Sequence, residues 1–113
     1  MQIRQKEKDG VLICQVLEEI NLDNVDELSK VFKKIVTDNA RKVLLDLRQV
    51  DYIDSSGFAC LIQFSKDLRA IEGVLFLSGL SPKIRSLFAI TKLESVFKLY
   101  ETETDALKDF YGY

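Results

Sequence analysis

Histidine is absent from the 113 residues of this chain. That single absence removes the usual general base, the Ser–His–Asp triad and the commonest metal ligand. Cysteine is scarce: Cys14 and Cys60 each lie in apolar surroundings, one in a predicted strand and one in a predicted helix. Thiols so placed in a reducing compartment serve as small buried hydrophobes. No Gly-rich run ending in Gly-Lys-Ser/Thr cradles a phosphate, and no Gly-x-Ser-x-Gly presents a nucleophile. No catalytic residue, metal site or cofactor is expected, and the protein reads as a non-enzyme. Neither sign of charge dominates, with 16 Lys and Arg against 18 Asp and Glu and a net charge of −2. Direct nucleic-acid binding relies on cationic neutralisation of phosphates, so no such partner is expected. No apolar run approaches the ~20 residues that cross a bilayer. The opening Met1-Gln2-Ile3-Arg4-Gln5-Lys6 is too polar for a signal peptide. A cytoplasmic protein without a membrane partner is the expectation.

What is present is an ordinary globular composition, 47% hydrophobic and 30% charged, matching one domain over residues 1–113 with no repeat or linker. Polar Gln2–Lys8 and apolar Val11–Leu17 flank Asp9-Gly10, a two-residue turn of the hairpin kind. A helix starts near Asp23 or Asn24, with Val25, Leu28, Val31, Phe32, Ile35 and Val36 in one stripe at the helical period. The unbroken Val43-Leu44-Leu45 run predicts a strand covered on both faces. A second helix is predicted from Ser55 to Ile71, with Leu61, Phe64 and Leu68 facing inward and Gly73 as a left-handed cap. Val74–Ser78 is a fourth strand, with Leu75 and Leu77 buried. Ser81-Pro82 opens a third helix whose inner face is Ile84, Leu87, Phe88 and Ile90. Val96–Tyr100 is a last strand, and Thr102 or Thr104 opens a closing helix through Phe110. Strands and helices alternate after the hairpin, so the fold class is α/β, a mixed and mostly parallel sheet of about five strands with about four helices.

The chain is organised around Asp46-Leu47-Arg48-Gln49-Val50-Asp51-Tyr52-Ile53-Asp54-Ser55-Ser56-Gly57-Phe58. An apolar strand runs into this stretch and a helix leaves it. In parallel sheets, functional groups collect in loops beyond the carboxyl ends of strands. Locally, Asp54-Ser55-Ser56-Gly57 reads as a helix N-cap with a spare serine. It is not a full capping box, since Phe58 and Ala59 stand where Glu or Gln would. The functional reading is an exposed hydroxyl at a helix start, modified by another protein: a phosphate there adds charge that the helix N-terminus partly stabilises. A phospho-aspartate receiver is a rival, with Asp46 as its acid. That family needs an acidic pair after its first strand and a lysine after its last, whereas here the pattern is a hairpin and Glu101 follows the last strand.

With those residues in view, the stretch resembles the signature of STAS domains of the bacterial anti-sigma factor antagonist (anti-anti-sigma) family. Gly73, Ser81-Pro82, Leu87-Phe88 and Leu93 extend the resemblance over residues 3–110. The resemblance implies a STAS-like fold and a non-enzymatic binding switch. The switch would sequester a serine-kinase anti-sigma factor and so free a sigma factor. The kinase would phosphorylate Ser55, a serine phosphatase would reverse it, and Ser56 would be a supporting hydroxyl. The partner face would comprise Asn21, Leu22, Asp23, Asp54, Ser56, Gly57 and Phe58, extending toward the Ser78–Ser81 turn. Two departures from the family pattern stand out: Asn21 replaces an acid, and Phe58 replaces leucine. A second function class stays open, the same fold as a non-phosphorylated scaffold or subunit of a stress-signalling or lipid-transport assembly. Ser55 favours the switch, because a scaffold has no requirement for a hydroxyl there.

Overall fold

Asp9 and Gly10 adopt φ of 53° and 82°, the paired left-handed conformation of the tightest hairpin turns. They fold β1 (Ile3–Lys8) back on β2 (Val11–Val16), antiparallel, with Lys8 opposite Val11. In the computed structural model, which describes residues 1–111, the chain continues as α1 (Val25–Thr37), β3 (Lys42–Asp46), α2 (Ser55–Ala70), β4 (Val74–Ser78), α3 (Pro82–Ile90), β5 (Lys98–Tyr100) and α4 (Glu103–Phe110). The sheet order is β1-β2-β3-β4-β5, and every pairing after the hairpin is parallel.

Strand order and crossover handedness together place the helices. Strand–helix–strand connections are right-handed in nearly all proteins. Here each one steps in the same direction, so α1, α2 and α3 all fall on one face. Leu28, Phe32, Leu61, Phe64, Ile84 and Phe88 accordingly share one core with Val43, Leu45, Leu75 and Leu77. α4 covers the opposite face, where Ala106, Leu107 and Phe110 meet Val11, Ile13, Leu44 and Phe76. The pleat thus divides Val43-Leu44-Leu45 between two cores, as the unbroken apolar run implied. Phe32 and Phe64 stack at 3.9 Å and join α1 to α2, while Phe76 and Phe110 lie 4.1 Å apart under α4. Cys14 is buried, Cys60 half-buried, and both thiols are free. Burial pushes the Cys14 thiol up to about 12 and the Cys60 thiol up to about 11, so both stay protonated.

Three local expectations are corrected. The left-handed residue ending α2 is Glu72, with φ 62°, not Gly73. Glu72 N–H donates to the Arg69 carbonyl and Gly73 N–H to the Leu68 carbonyl at 2.7 Å, which is a Schellman ending with glycine one place later. Glycine is required there by space: a Cβ would sit 3.0 Å from both the Arg41 and Leu68 carbonyl oxygens. Ile90 is 77% exposed, because it lies about 200° around α3 from Phe88. Leu87 is only partly buried, on the flank of that same stripe. In the α1 stripe Leu28, Phe32 and Ile35 are buried, whereas Val25, Val31 and Val36 are only partly buried on its flanks; Thr102 opens α4, accepting from Asp105 N–H at 3.1 Å.

Leu44→Ala should destabilise the fold by about 2–5 kcal/mol, since it empties a site sealed by α4. Gly73→Ala should cost about 1–3 kcal/mol through crowding of two carbonyls. Denaturant unfolding checks both; a Leu44→Ala midpoint equal to that of the parent would contradict the two-core division.

Candidate functional site

Beyond β3 the backbone leaves the sheet but stays anchored, because Val50 and Ile53 are buried while Asp51 and Tyr52 face outward. Ile53 forms an isolated parallel bridge with Ile20. Ile20 N–H donates to the Tyr52 carbonyl at 3.0 Å, and Asp54 N–H donates to the Ile20 carbonyl at 3.1 Å. The neighbour relation of β2 and β3 is thereby carried past both strands to the start of α2. Gly57, in the first turn of α2, lies directly on this bridge. A Cβ there would stand 2.7 Å from Ile53 Cγ2, 2.8 Å from Ile20 Cγ2 and 3.2 Å from the Ile20 carbonyl oxygen. Only glycine lets the helix start so close to the bridge.

Asp54 is the N-cap of α2, in extended conformation, and its two oxygens do different work. Oδ1 accepts from Ser56 Oγ at 2.6 Å and from Gly57 N–H at 3.0 Å. Oδ2 accepts from Leu22 N–H at 2.9 Å, across 32 residues of sequence. The Ser56 bond first, and then the Gly57 and Leu22 amides, hold the Asp54 carboxyl below the usual carboxylate range. The two sequence segments assigned to the partner face are therefore fastened to each other through one side chain.

The assigned residues differ in what they present. Ser55 is the first helical residue and is exposed; among the described residues its hydroxyl has no hydrogen-bond partner. Ser56 is half-buried and committed to Asp54. Leu22 is 75% exposed, and Asp23 is exposed with its N–H donating to Asn21 Oδ1 at 2.9 Å. Asn21 donates its side-chain amide to Glu19 Oε1 at 2.9 Å. A carboxylate at position 21 would instead face Glu19 as a like charge, which gives a local reason for the amide. Phe58 is 7% exposed and packs edge-on against Phe88 at 5.1 Å, so its ring belongs to the core beneath the face. In the next turn along the sheet edge, Ser78 is buried and Ser81 caps α3 through Ile84 N–H at 3.2 Å.

Asp46, the acid considered for a receiver, is buried and occupied. Arg48 Nε lies 3.0 Å from its Oδ2 and Arg48 Nη2 2.9 Å from the same atom. Gly79, at φ 74°, makes room for this pair, since a Cβ would stand 2.3 Å from Arg48 Cγ. A carboxylate closed off by guanidinium is a structural charge pair, not a phosphoacceptor. Sequence reasoning overlooked Tyr52, 40% exposed, with Lys83 Nζ 5.4 Å from its ring centroid. The signal was available in Val50-Asp51-Tyr52-Ile53, where the inward positions 50 and 53 leave the tyrosine outside. Asn24 was also missed as a loop organiser: its side chain accepts from Asn21 N–H and donates to the Glu19 carbonyl at 2.7 Å. Among the described residues no group of His, Cys, Asp or Glu could hold a metal ion, and no helix is long and apolar enough to cross a membrane.

Comparison with known proteins agrees with this geometry. The STAS domain family model matches residues 2–106. The chain is 31% identical over 110 residues to BtrV of Bordetella bronchiseptica, a candidate anti-sigma factor antagonist, covering 97% of this chain and 95% of that protein. It is 30% identical over 83 residues to the anti-sigma-B factor antagonist of Staphylococcus aureus, covering 74% and 77% of the two chains. An anti-sigma factor antagonist from Mycobacterium paratuberculosis superposes with a TM-score of 0.87 at 26% identity, over 96% of this chain and 92% of that one. With its motif assembled on one edge of the sheet and the family model spanning nearly all of it, the chain belongs to the STAS domain family, among the anti-sigma factor antagonists.

Proposed function

We propose that the protein is a phosphorylation-controlled antagonist of a serine-kinase anti-sigma factor. In its unmodified form the face around Ser55 binds the kinase and so frees a sigma factor. The kinase transfers phosphate to Ser55, which ends the complex, and a serine phosphatase restores the binding form. The observation that carries this reading is the contrast between adjacent hydroxyls: Ser55 is exposed without a partner among the described residues, whereas Ser56 is bonded to Asp54 at 2.6 Å. Modifying Ser55 breaks no hydrogen bond of the fold, while modifying Ser56 removes the bond its hydroxyl donates to Asp54 Oδ1. Family membership supports the partner class, because anti-sigma factor antagonists bind anti-sigma factors.

The switch is electrostatic. A phosphate on Ser55 adds about −1.5 to −2 charges. It sits beside the ionised Asp54, with the first amides of α2 as a partial counterweight. Within a complex that charge would have to be desolvated against the kinase. An uncompensated interfacial charge removing about 3–4 kcal/mol lowers affinity by roughly two to three orders of magnitude.

Incubation with the cognate kinase and ATP, followed by peptide mass spectrometry, should find phosphate on Ser55 alone; phosphate on Ser56 with Ser55 untouched would sink the assignment. Ser55→Ala should bind the kinase persistently and leave the fold intact, since Asp54 and not Ser55 supplies the cap. Ser55→Asp should bind about a hundredfold more weakly, or less tightly still; equal affinity of this variant and the parent protein would count against the switch. The purified protein should turn over no ester, phosphate or nucleotide substrate. Multiple-turnover hydrolysis abolished by Ser55→Ala would reveal a serine nucleophile instead.

A further inference from the structure

Leu22 is 75% exposed, yet it does not sit on a loose loop. Its own N–H is held by Asp54 Oδ2 at 2.9 Å, the next N–H by Asn21 Oδ1 at 2.9 Å, and Ile20 before it is fully buried in the bridge to Ile53. An apolar side chain projected from a fixed backbone loses little further freedom on binding, which is what an interface anchor requires. The same carboxylate starts the helix on which Ser55 stands, so Leu22 and Ser55 are held in one frame. The exposed charges nearest Leu22 in sequence, Glu19, Asp23 and Asp26, are acidic, and Glu27 beyond them is paired with the Met1 amino terminus.

We propose that Leu22 is the apolar anchor of the kinase-binding face, and that Asp54 is the positioning residue that holds it in register with Ser55. The complementary feature is an apolar pocket rimmed by Lys and Arg on the anti-sigma factor kinase. This deepens the function proposed above and rests on it. Asparagine at position 54 separates the two duties of the side chain. Its carbonyl oxygen still accepts from Ser56 and Gly57, whereas its amide nitrogen is a donor and has no bond to offer the Leu22 N–H.

The test uses the full-length protein and the cell's serine-kinase anti-sigma factor loaded with ADP, so that no phosphate is transferred. Leu22→Ala, a surface change, should weaken binding about tenfold or more. Asp54→Asn should weaken it comparably, and the double variant should be no more than about twofold weaker than the worse single one. By amide hydrogen exchange, Asp54→Asn should lose protection at Leu22 and keep it at Gly57. Association should slow as salt is raised, reporting the cationic rim. Leu22→Ala binding as tightly as the parent, additive effects in the double variant, or undiminished Leu22 protection in Asp54→Asn would each overturn the inference. Failure of the parent protein itself to bind the kinase would overturn the switch and this inference together, whereas a binding parent with an indifferent Leu22→Ala overturns this inference alone.

Discussion

The right-handedness of the strand–helix–strand crossover governs where everything else in this chain lies. Because the strands add in one direction only, each crossover returns on the same side, and α1, α2 and α3 form a single layer. In sheets whose strand order reverses, the ends of two neighbouring strands part and leave a crevice for a small ligand. No reversal occurs here, so the carboxyl edge of the sheet forms a surface, and a surface suits a protein partner. α4 then completes the fold by covering the face that the crossovers leave bare.

On that edge, close backbone approach and charge work together. The bridge between Ile20 and Ile53 brings two loops to hydrogen-bonding distance, Gly57 admits the helix, and Asp54 ties all three together. Every tie leaves Ser55 out. An exposed hydroxyl surrounded by satisfied groups is what the proposed switch requires, because a phosphate there would change the charge of the surface while the scaffold kept its bonds. The acid beside the serine is itself held ionised by three donors, so the electrostatic background against which the proposed phosphate would act is fixed.

Much of this was legible in the sequence because it depends on local chemistry. Asp9-Gly10 announced the hairpin, the stripe from Val25 to Val36 announced α1, and Val43-Leu44-Leu45 announced a strand with two covered faces. The motif from Asp46 to Phe58 marked the candidate site. What stayed hidden were relations between distant residues. Nothing local to Leu22 signals that its N–H meets a carboxylate 32 positions later. Phe58 reads as a surface residue of the motif until Phe88 arrives from α3 to receive its ring. Gly73 was read as a left-handed cap because glycine usually is one; the close passage of the Arg41 and Leu68 carbonyls, set by how β4 enters beside β3, is a tertiary fact.

β1 raises a separate matter. It is the outermost strand, nearly all of its residues are exposed, and its free edge offers unpaired backbone groups to any second copy. Two copies joined edge to edge by antiparallel two-fold pairing would set even-numbered positions against even-numbered ones, and those are Arg4, Lys6 and Lys8. Like charges directly opposite each other oppose such a ladder. The strand that contributes least to the two cores thus disfavours edge-to-edge pairing of two copies through β1.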